Sequence, residues 1–201
     1  MNTKIDKIAF LCKSILKIGM PASHEYKEET IAKYSKEYGC NTFVETGTYK
    51  GDMLIQEYKN FEYLASVEIA VGLFEEAKNR FNDYSKVHLY NGNSSERLPQ
   101  MIDDAKSALG KAEFLFWLDG HYSGGITGKA EKDTPIIEEL LAIKNRGVNS
   151  GVILIDDARC FTHKGEFIDY PTIKALKIMV KEQWPDAGFK VKNDIIRITL
   201  G

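Results

Sequence analysis

Cysteine is scarce in this chain. Cys12, Cys40 and Cys160 are the only three among 201 residues, they stand far apart, and no two form a CxxC pair. That pattern excludes a disulfide framework, argues against a structural zinc site, and suits a reducing, cytoplasmic setting. A surplus of positive charge is missing too: 27 Lys and Arg stand against 29 Asp and Glu, a formal net charge of -2. The electrostatic footprint of a dedicated nucleic-acid binder is therefore absent, because phosphate contacts need an excess of Lys and Arg. Long apolar runs are lacking as well, so no membrane span is expected. The one stretch that resembles a secretory signal, residues 8–12 behind a basic start, is cut off by Lys13 and interrupted again at Lys17. Five Pro and 16 Gly are ordinary numbers that exclude collagen-like and low-complexity readings.

Hydrophobic residues make up 43% and charged residues 28%, the balance of one globular domain with a real core. Ile5, Ile8, Cys12 and Ile15 recur at helical spacing, which predicts an amphipathic N-terminal helix packed on the domain or on a second copy in a homodimer. A second helical segment follows a break near Gly19-Met20-Pro21. From there strands and helices alternate. Strands are expected at 42–44, 63–67, 87–90, 114–118 and 152–155, with helices at 52–58, 73–81, 96–105, from about 133–135, and at 173–183. Two last strands, 189–192 and 195–200, are joined tightly through Asn193-Asp194, a hairpin signal. The alternation implies an α/β fold, a doubly wound, mostly parallel seven-stranded sheet covered on both faces, with a C-terminal antiparallel hairpin and additional N-terminal helices. Residues 1–40 read as a helical extension of the domain formed by 41–201.

Ligands of such sheets bind at the carboxyl ends of the strands, where the strand order reverses. The first strand runs into Glu45-Thr46-Gly47-Thr48-Tyr49-Lys50-Gly51 and the second ends at Glu68. The third leads to Asn91-Gly92-Asn93-Ser94, the fourth to Asp119-Gly120-His121 and the fifth to Asp156-Asp157. Gly47 alone is compatible with a simple tight turn, and the spacing to Gly51 is not the G-x-G-x-x-G of dinucleotide enzymes. Glu68, about twenty residues beyond the glycine turn, stands where an acid accepts both hydroxyls of a ribose, although an exposed charge is the plainer alternative. Asn93 and Ser94 are candidates to cap the third helix. Asp119, Asp156 and Asp157 each follow an unbroken apolar run, where a carboxylate needs a cation or a hydrogen-bond network. Three converging carboxylates suit a hard cation such as Mg²⁺, Mn²⁺ or Ca²⁺.

With these residues in view, the chain from about Thr42 onward resembles the class I S-adenosylmethionine-dependent methyltransferases, a Rossmann-like family whose seventh strand the terminal hairpin would supply. Residues 45–51 resemble the first motif, Glu-x-Gly-Thr-x-x-Gly, of the small cation-dependent O-methyltransferases. The resemblance implies S-adenosylmethionine as cofactor, bound by Glu45, Thr46, Gly47, Thr48, Tyr49, Gly51, Glu68, Asn93, Ser94 and Asp119. Within that set Glu45 and Gly47 would border the methionine part, Glu68 would hold the ribose, and Asn93 with Ser94 would lie beside the adenine. Leu118-Asp119 and Ile155-Asp156-Asp157 are similar to the metal-binding strand ends of the catechol and macrocin O-methyltransferase types. By that similarity Asp119, Asp156 and Asp157 are metal candidates, with Mg²⁺ or another divalent cation, and Asp119 and His121 are catalytic candidates. Two departures stand out: Tyr122 occupies the place of the catechol-type lysine, and His121 is nearer to Asp119 than the histidine of the macrocin type.

The function these readings imply is O-methylation, assisted by a divalent cation, of a small-molecule or glycan hydroxyl. A metal-dependent phosphoester hydrolase using the same aspartates and a non-catalytic nucleotide-binding module are the alternatives. Glu68 counts against the first, which has no need of it. Residues 120–128 and 158–170 flank the site and are long enough to act as lids. Tyr122, Arg159 and Phe161 would then shape the substrate pocket, and His24, Tyr26 and Tyr34 would close its far side. Arg159 is open to two roles, pairing with an aspartate or anchoring an anionic substrate.

Overall fold

The structure is a computed structural model that describes residues 20–120 and 134–201. His121, Tyr122 and the N-terminal segment carrying Ile5, Ile8, Cys12 and Ile15 lie outside the described residues. Numbered in chain order, the described helices are α1 (His24–Tyr38), α2 (Asp52–Glu57), α3 (Val71–Arg80), α4 (Ser94–Leu109), α5 (Ile136–Asn145) and α6 (Ile173–Gln183). The strands are β1 (Thr42–Thr46), β2 (Tyr63–Glu68), β3 (Val87–Asn91), β4 (Phe114–Leu118), β5 (Gly151–Ile155), β6 (Gly188–Lys192) and β7 (Ile195–Leu200).

They form one seven-stranded sheet in the order β3-β2-β1-β4-β5-β7-β6. The first five strands are parallel, and β7 runs antiparallel to both β5 and β6. The expected doubly wound sheet and closing hairpin are thus present. Asn193 and Asp194 turn the hairpin with φ of 46° and 64°, the left-handed pair that matches the twist of the flanking strands.

Successive strand residues point to opposite faces. Val44, Ala65, Phe116 and Ile153 join Leu98 and Met101 of α4, Leu140 of α5 and Leu176 of α6 on one side. Phe43, Leu64, Trp117 and Leu154 join Ile31 of α1, Leu54 of α2 and Ala77 of α3 on the other. The fully buried Ile31 makes α1 part of this second core layer. Ser23 caps α1 by accepting the Tyr26 N–H at 3.3 Å, and Gly39, with φ 62°, ends it.

Most elements differ from the sequence reading at one or both ends, and for two helices the caps show why. Helix α4 begins two residues earlier than expected because Asn93 Oδ1 accepts the Ser95 N–H at 3.1 Å, and the helix continues through Pro99. Helix α5 begins at Ile136, with Pro135 just outside it and Thr134 Oγ1 accepting the Ile136 N–H at 3.3 Å. The strand order reverses between β1 and β4, and the carboxyl ends of those two neighbours open the crevice described next.

Candidate functional site

The turn after β1 is folded onto its neighbours by main-chain bonds. The N–H groups of Gly47 and Thr48 both donate to the Val67 carbonyl, at 3.0 and 3.2 Å. Gly47 has φ +87°, and a Cβ there would stand 2.7 Å from the Asp119 carbonyl oxygen. No larger residue fits that approach. On the β4 side the Asp119 N–H donates to the Thr46 carbonyl at 3.1 Å, and the Gly120 N–H donates to Thr46 Oγ1 at 3.2 Å. The ends of β1, β2 and β4 are therefore tied into one rim.

Beneath this rim runs a buried polar chain. Thr48 Oγ1 meets Ser66 Oγ at 2.7 Å, and Ser66 Oγ donates to Glu45 Oε2 at 2.7 Å. Glu45 is almost wholly buried, and burial, only partly countered by the Ser66 hydroxyl and reinforced by Asp119, Glu68 and Asp52, pushes its pKa up to about 8. At neutral pH this carboxyl is mostly protonated. Its contact with Ser66, and through it with Thr48, holds the turn from below.

Glu68 is the best-organised acid of the crevice. It is 6% exposed, with Oε1 accepting the Ala70 N–H and Oε2 the Tyr49 N–H, each at 2.9 Å. Tyr49 itself sits at φ 47° and is exposed. A carboxylate oxygen has two acceptor positions, so each oxygen of Glu68 keeps one for a hydroxyl. The Glu68 carbonyl accepts the Gly92 N–H at 3.0 Å and Asn91 Nδ2 at 2.8 Å, which joins the third strand end to the second. Of the two capping candidates, Asn93 is the cap of α4, and Ser94 is the buried first residue of that helix.

Two of the three aspartates expected to hold a metal, Asp156 and Asp157, meet cations of the chain. Asp156 is 1% exposed and bonds the Lys27 ammonium of α1 through Oδ2. Its Oδ1 is buried and makes no hydrogen bond among the described residues. Lys27 lies over the Trp117 ring, 5.8 Å from its centroid. Burial pulls the Lys27 pKa down, but Asp156 first, then Asp119 and Asp157, raise it above the ordinary lysine value. Asp157, in the left-handed region at φ 53°, pairs with the Arg159 guanidinium, which also bonds Asp194 Oδ2. The Arg159 N–H donates to Asp194 Oδ1 at 2.7 Å. Among the described residues no group of three or more His, Cys, Asp and Glu is arranged to hold a metal ion.

Sequence reasoning missed Lys27 and Asp194. One lies 129 residues from its partner, with only its place on an N-terminal helix as a signal, and the other looked like a turn residue. Of the two roles open to Arg159, ion pairing is present, with Asp157 and Asp194. Phe161, expected in the substrate pocket, is buried in the core, edge-on to Tyr170 at 5.3 Å. The loop after β5 is thus anchored at both ends rather than swinging free. Tyr26 and Tyr34 lie against Arg197 of β7, whose Nη2 donates to Tyr26 Oη at 3.2 Å, so they seat α1 on the sheet. His24 is exposed beside Glu28 at 3.6 Å. His163 Nδ1 lies 3.2 Å from the Tyr170 carbonyl, and burial lowers the pKa of His88 at the sheet edge. Burial holds the Cys40 and Cys160 thiols near 12 and 11, so neither is a thiolate nucleophile at neutral pH.

No family model and no curated protein matches the sequence. Solved structures do match the fold. A Podospora anserina methyltransferase, PaMTH1, determined with S-adenosylhomocysteine, superposes with a TM-score of 0.59 at 15% identity, over 98% of this chain and 95% of its own. The Streptomyces achromogenes O-methyltransferase TomG, which is involved in tomaymycin synthesis and was determined with S-adenosylmethionine, gives 0.57 at 14% identity, over 100% and 92%. A Bacillus cereus O-methyltransferase bound to S-adenosylhomocysteine gives 0.57 at 11% identity, over 96% and 89%. The chain has the fold of these methyltransferases along nearly its whole length, and the fold expected from the sequence is the one found.

Proposed function

We propose that this chain is an S-adenosylmethionine-dependent methyltransferase that acts on a hydroxyl oxygen of a small molecule. The observation that carries the reading is Glu68, a buried carboxylate at the end of β2, one strand from the strand-order reversal. The main chain of two different loops holds it, and one acceptor position on each oxygen remains for a vicinal diol such as a ribose. The Gly47 turn supports the same reading. Its positive φ and the contact any Cβ would make with the Asp119 carbonyl hold the main chain of the turn close against the end of β4. These residues fit the cofactor.

When bound, S-adenosylmethionine supplies an electrophilic sulfonium methyl group. The chain's own part is positioning and proton transfer. Glu68 would hold the ribose, Thr46, Gly47, Thr48, Tyr49 and Gly51 would hold the methionine portion, and Asn93 and Ser94 would border the adenine. Asp119 closes the crevice from the β4 side. His121, two residues beyond Asp119, is assigned to take the proton that the acceptor hydroxyl loses. A divalent cation at Asp119, Asp156 and Asp157 is the finer form of this reading, and the described residues do not fit it, because Lys27 and Arg159 already engage two of the three carboxylates.

Calorimetric titration with S-adenosylmethionine tests the proposal. The wild-type chain is expected to bind one equivalent, and Glu68→Gln to weaken binding by at least about tenfold, because an amide must turn a donor toward one of the two N–H groups that Glu68 accepts. Equal affinity in the two proteins overturns the assignment of Glu68, and no binding by a folded wild-type chain overturns the function.

A further inference from the structure

We propose that Lys27 is the resident cation of the strand-end carboxylates: its ammonium takes the place at Asp156 that a divalent metal would take, and methyl transfer in this crevice needs no divalent cation. This rests on the methyltransferase reading above.

The geometry is specific to one side chain. Lys27 reaches across from α1, over the Trp117 face at the end of β4, to Asp156 Oδ2 at the end of β5. Its side chain is 21% exposed, against 1% for Asp156, so the pair is largely withdrawn from water. A buried carboxylate without a cation is costly, and here an ammonium packed on an aromatic face supplies the charge. The helix that carries it is firmly seated, with Ile31 fully buried against the sheet and Tyr26 and Tyr34 against Arg197.

A divalent ion bonded to Asp156 would have to sit within a few ångströms of this ammonium, where like charges repel in a poorly solvated site. It would also need about six oxygen ligands, while Asp157 is turned toward Arg159 in a second ion pair that Asp194 completes. The two cations of the chain therefore do the electrostatic work of one metal ion. Arg159 fastens Asp157 to the β6–β7 hairpin. Lys27 pairs with Asp156 and, as an ammonium with three donors, retains N–H groups beyond the one given to Asp156.

If Lys27 stands in for a metal, removing it should create a metal site. The test is Mn²⁺ alone, titrated into the full chain with free Mn²⁺ read by electron paramagnetic resonance. Wild type, Lys27→Ala and Lys27→Ala with Asp156→Asn are compared. Wild type is expected to show only weak uptake of the kind any acidic surface gives. Lys27→Ala should gain one site at least about tenfold tighter, and the added Asp156→Asn should abolish the gain. Lys27→Met keeps the apolar stem over Trp117 and should gain the same site, which keeps the test alive if the alanine variant fails to fold by circular dichroism. Tight stoichiometric Mn²⁺ binding by the wild type, or no gain in a folded Lys27 variant, overturns the proposal. Calorimetry with S-adenosylhomocysteine on the same wild-type preparation separates the two failures. Binding there with a failed Mn²⁺ result removes only the role of Lys27, whereas no binding removes the methyltransferase reading itself.

Discussion

Glu45 carries the clearest pH signature in the molecule. Its folded pKa, raised from 4.5 to about 8 chiefly by burial, means that the native chain holds a proton the unfolded chain releases in between. The stability this contributes is full below pH 4.5 and is lost as pH rises through about 8. Urea unfolding across that interval should show wild-type stability falling toward alkaline pH. Glu45→Gln, which cannot titrate and still accepts from Ser66, should show a flatter profile. An unchanged slope in the variant would assign the proton elsewhere. Gly47→Ala is the second test at this scale. Its φ of +87° and the 2.7 Å approach to the Asp119 carbonyl predict a loss of roughly 1–3 kcal/mol in urea unfolding, with weakened S-adenosylmethionine binding. Wild-type stability in that variant would show that the turn has room it is not expected to have. Glu45, Gly47 and Glu68 were legible in the sequence as residues gathered at one edge of the sheet, because a glycine turn and strand-end acids leave a mark in the order of residues. The inward direction of Glu45 was not, since nothing along the chain marks Ser66 and Thr48 as its relay.

At the scale of elements, the β6–β7 hairpin does more than close the sheet. Asp194, at the turn, accepts from both the main chain and the guanidinium of Arg159, while the Asp194 carbonyl accepts the Ala158 N–H at 2.9 Å. The loop after β5 is thereby fastened to the hairpin. Asp194→Ala should cost about 1–3 kcal/mol in urea unfolding, toward the lower end because Arg159 is partly exposed and solvent screens the pair. It should also loosen the loop, read as faster amide exchange over residues 158–161. A wild-type exchange pattern would show that the loop is held by Phe161 and Tyr170 alone. The hairpin, the parallel strands and α6 followed directly from periodicity and turn chemistry, with α6 at its expected bounds. The anchoring of the loop did not, because a flexible-looking composition says nothing about partners supplied by a hairpin some thirty residues later.

For the whole molecule, topology decides where chemistry is possible. The reversal between β1 and β4 brings Glu45, Gly47, Glu68 and Asp119 to one rim, although they are spread over more than seventy residues of sequence. Seven strands with a terminal antiparallel pair were readable from alternation and from the Asn193-Asp194 turn. The charge balance of the rim was not, because the compensating Lys27 comes from a helix that precedes the sheet and touches it only after folding. Of the strand-end acids that looked like a metal site, Asp156 and Asp157 are paired in the folded chain with Lys27 and Arg159. The most direct measurement is a crystal structure of the wild-type chain grown with S-adenosylhomocysteine. The account predicts the ligand at the β1–β4 reversal, with its ribose hydroxyls on the Glu68 carboxylate and its amino-acid end over the Gly47 turn. Ligand bound elsewhere, or a ribose that leaves Glu68 untouched, would contradict it.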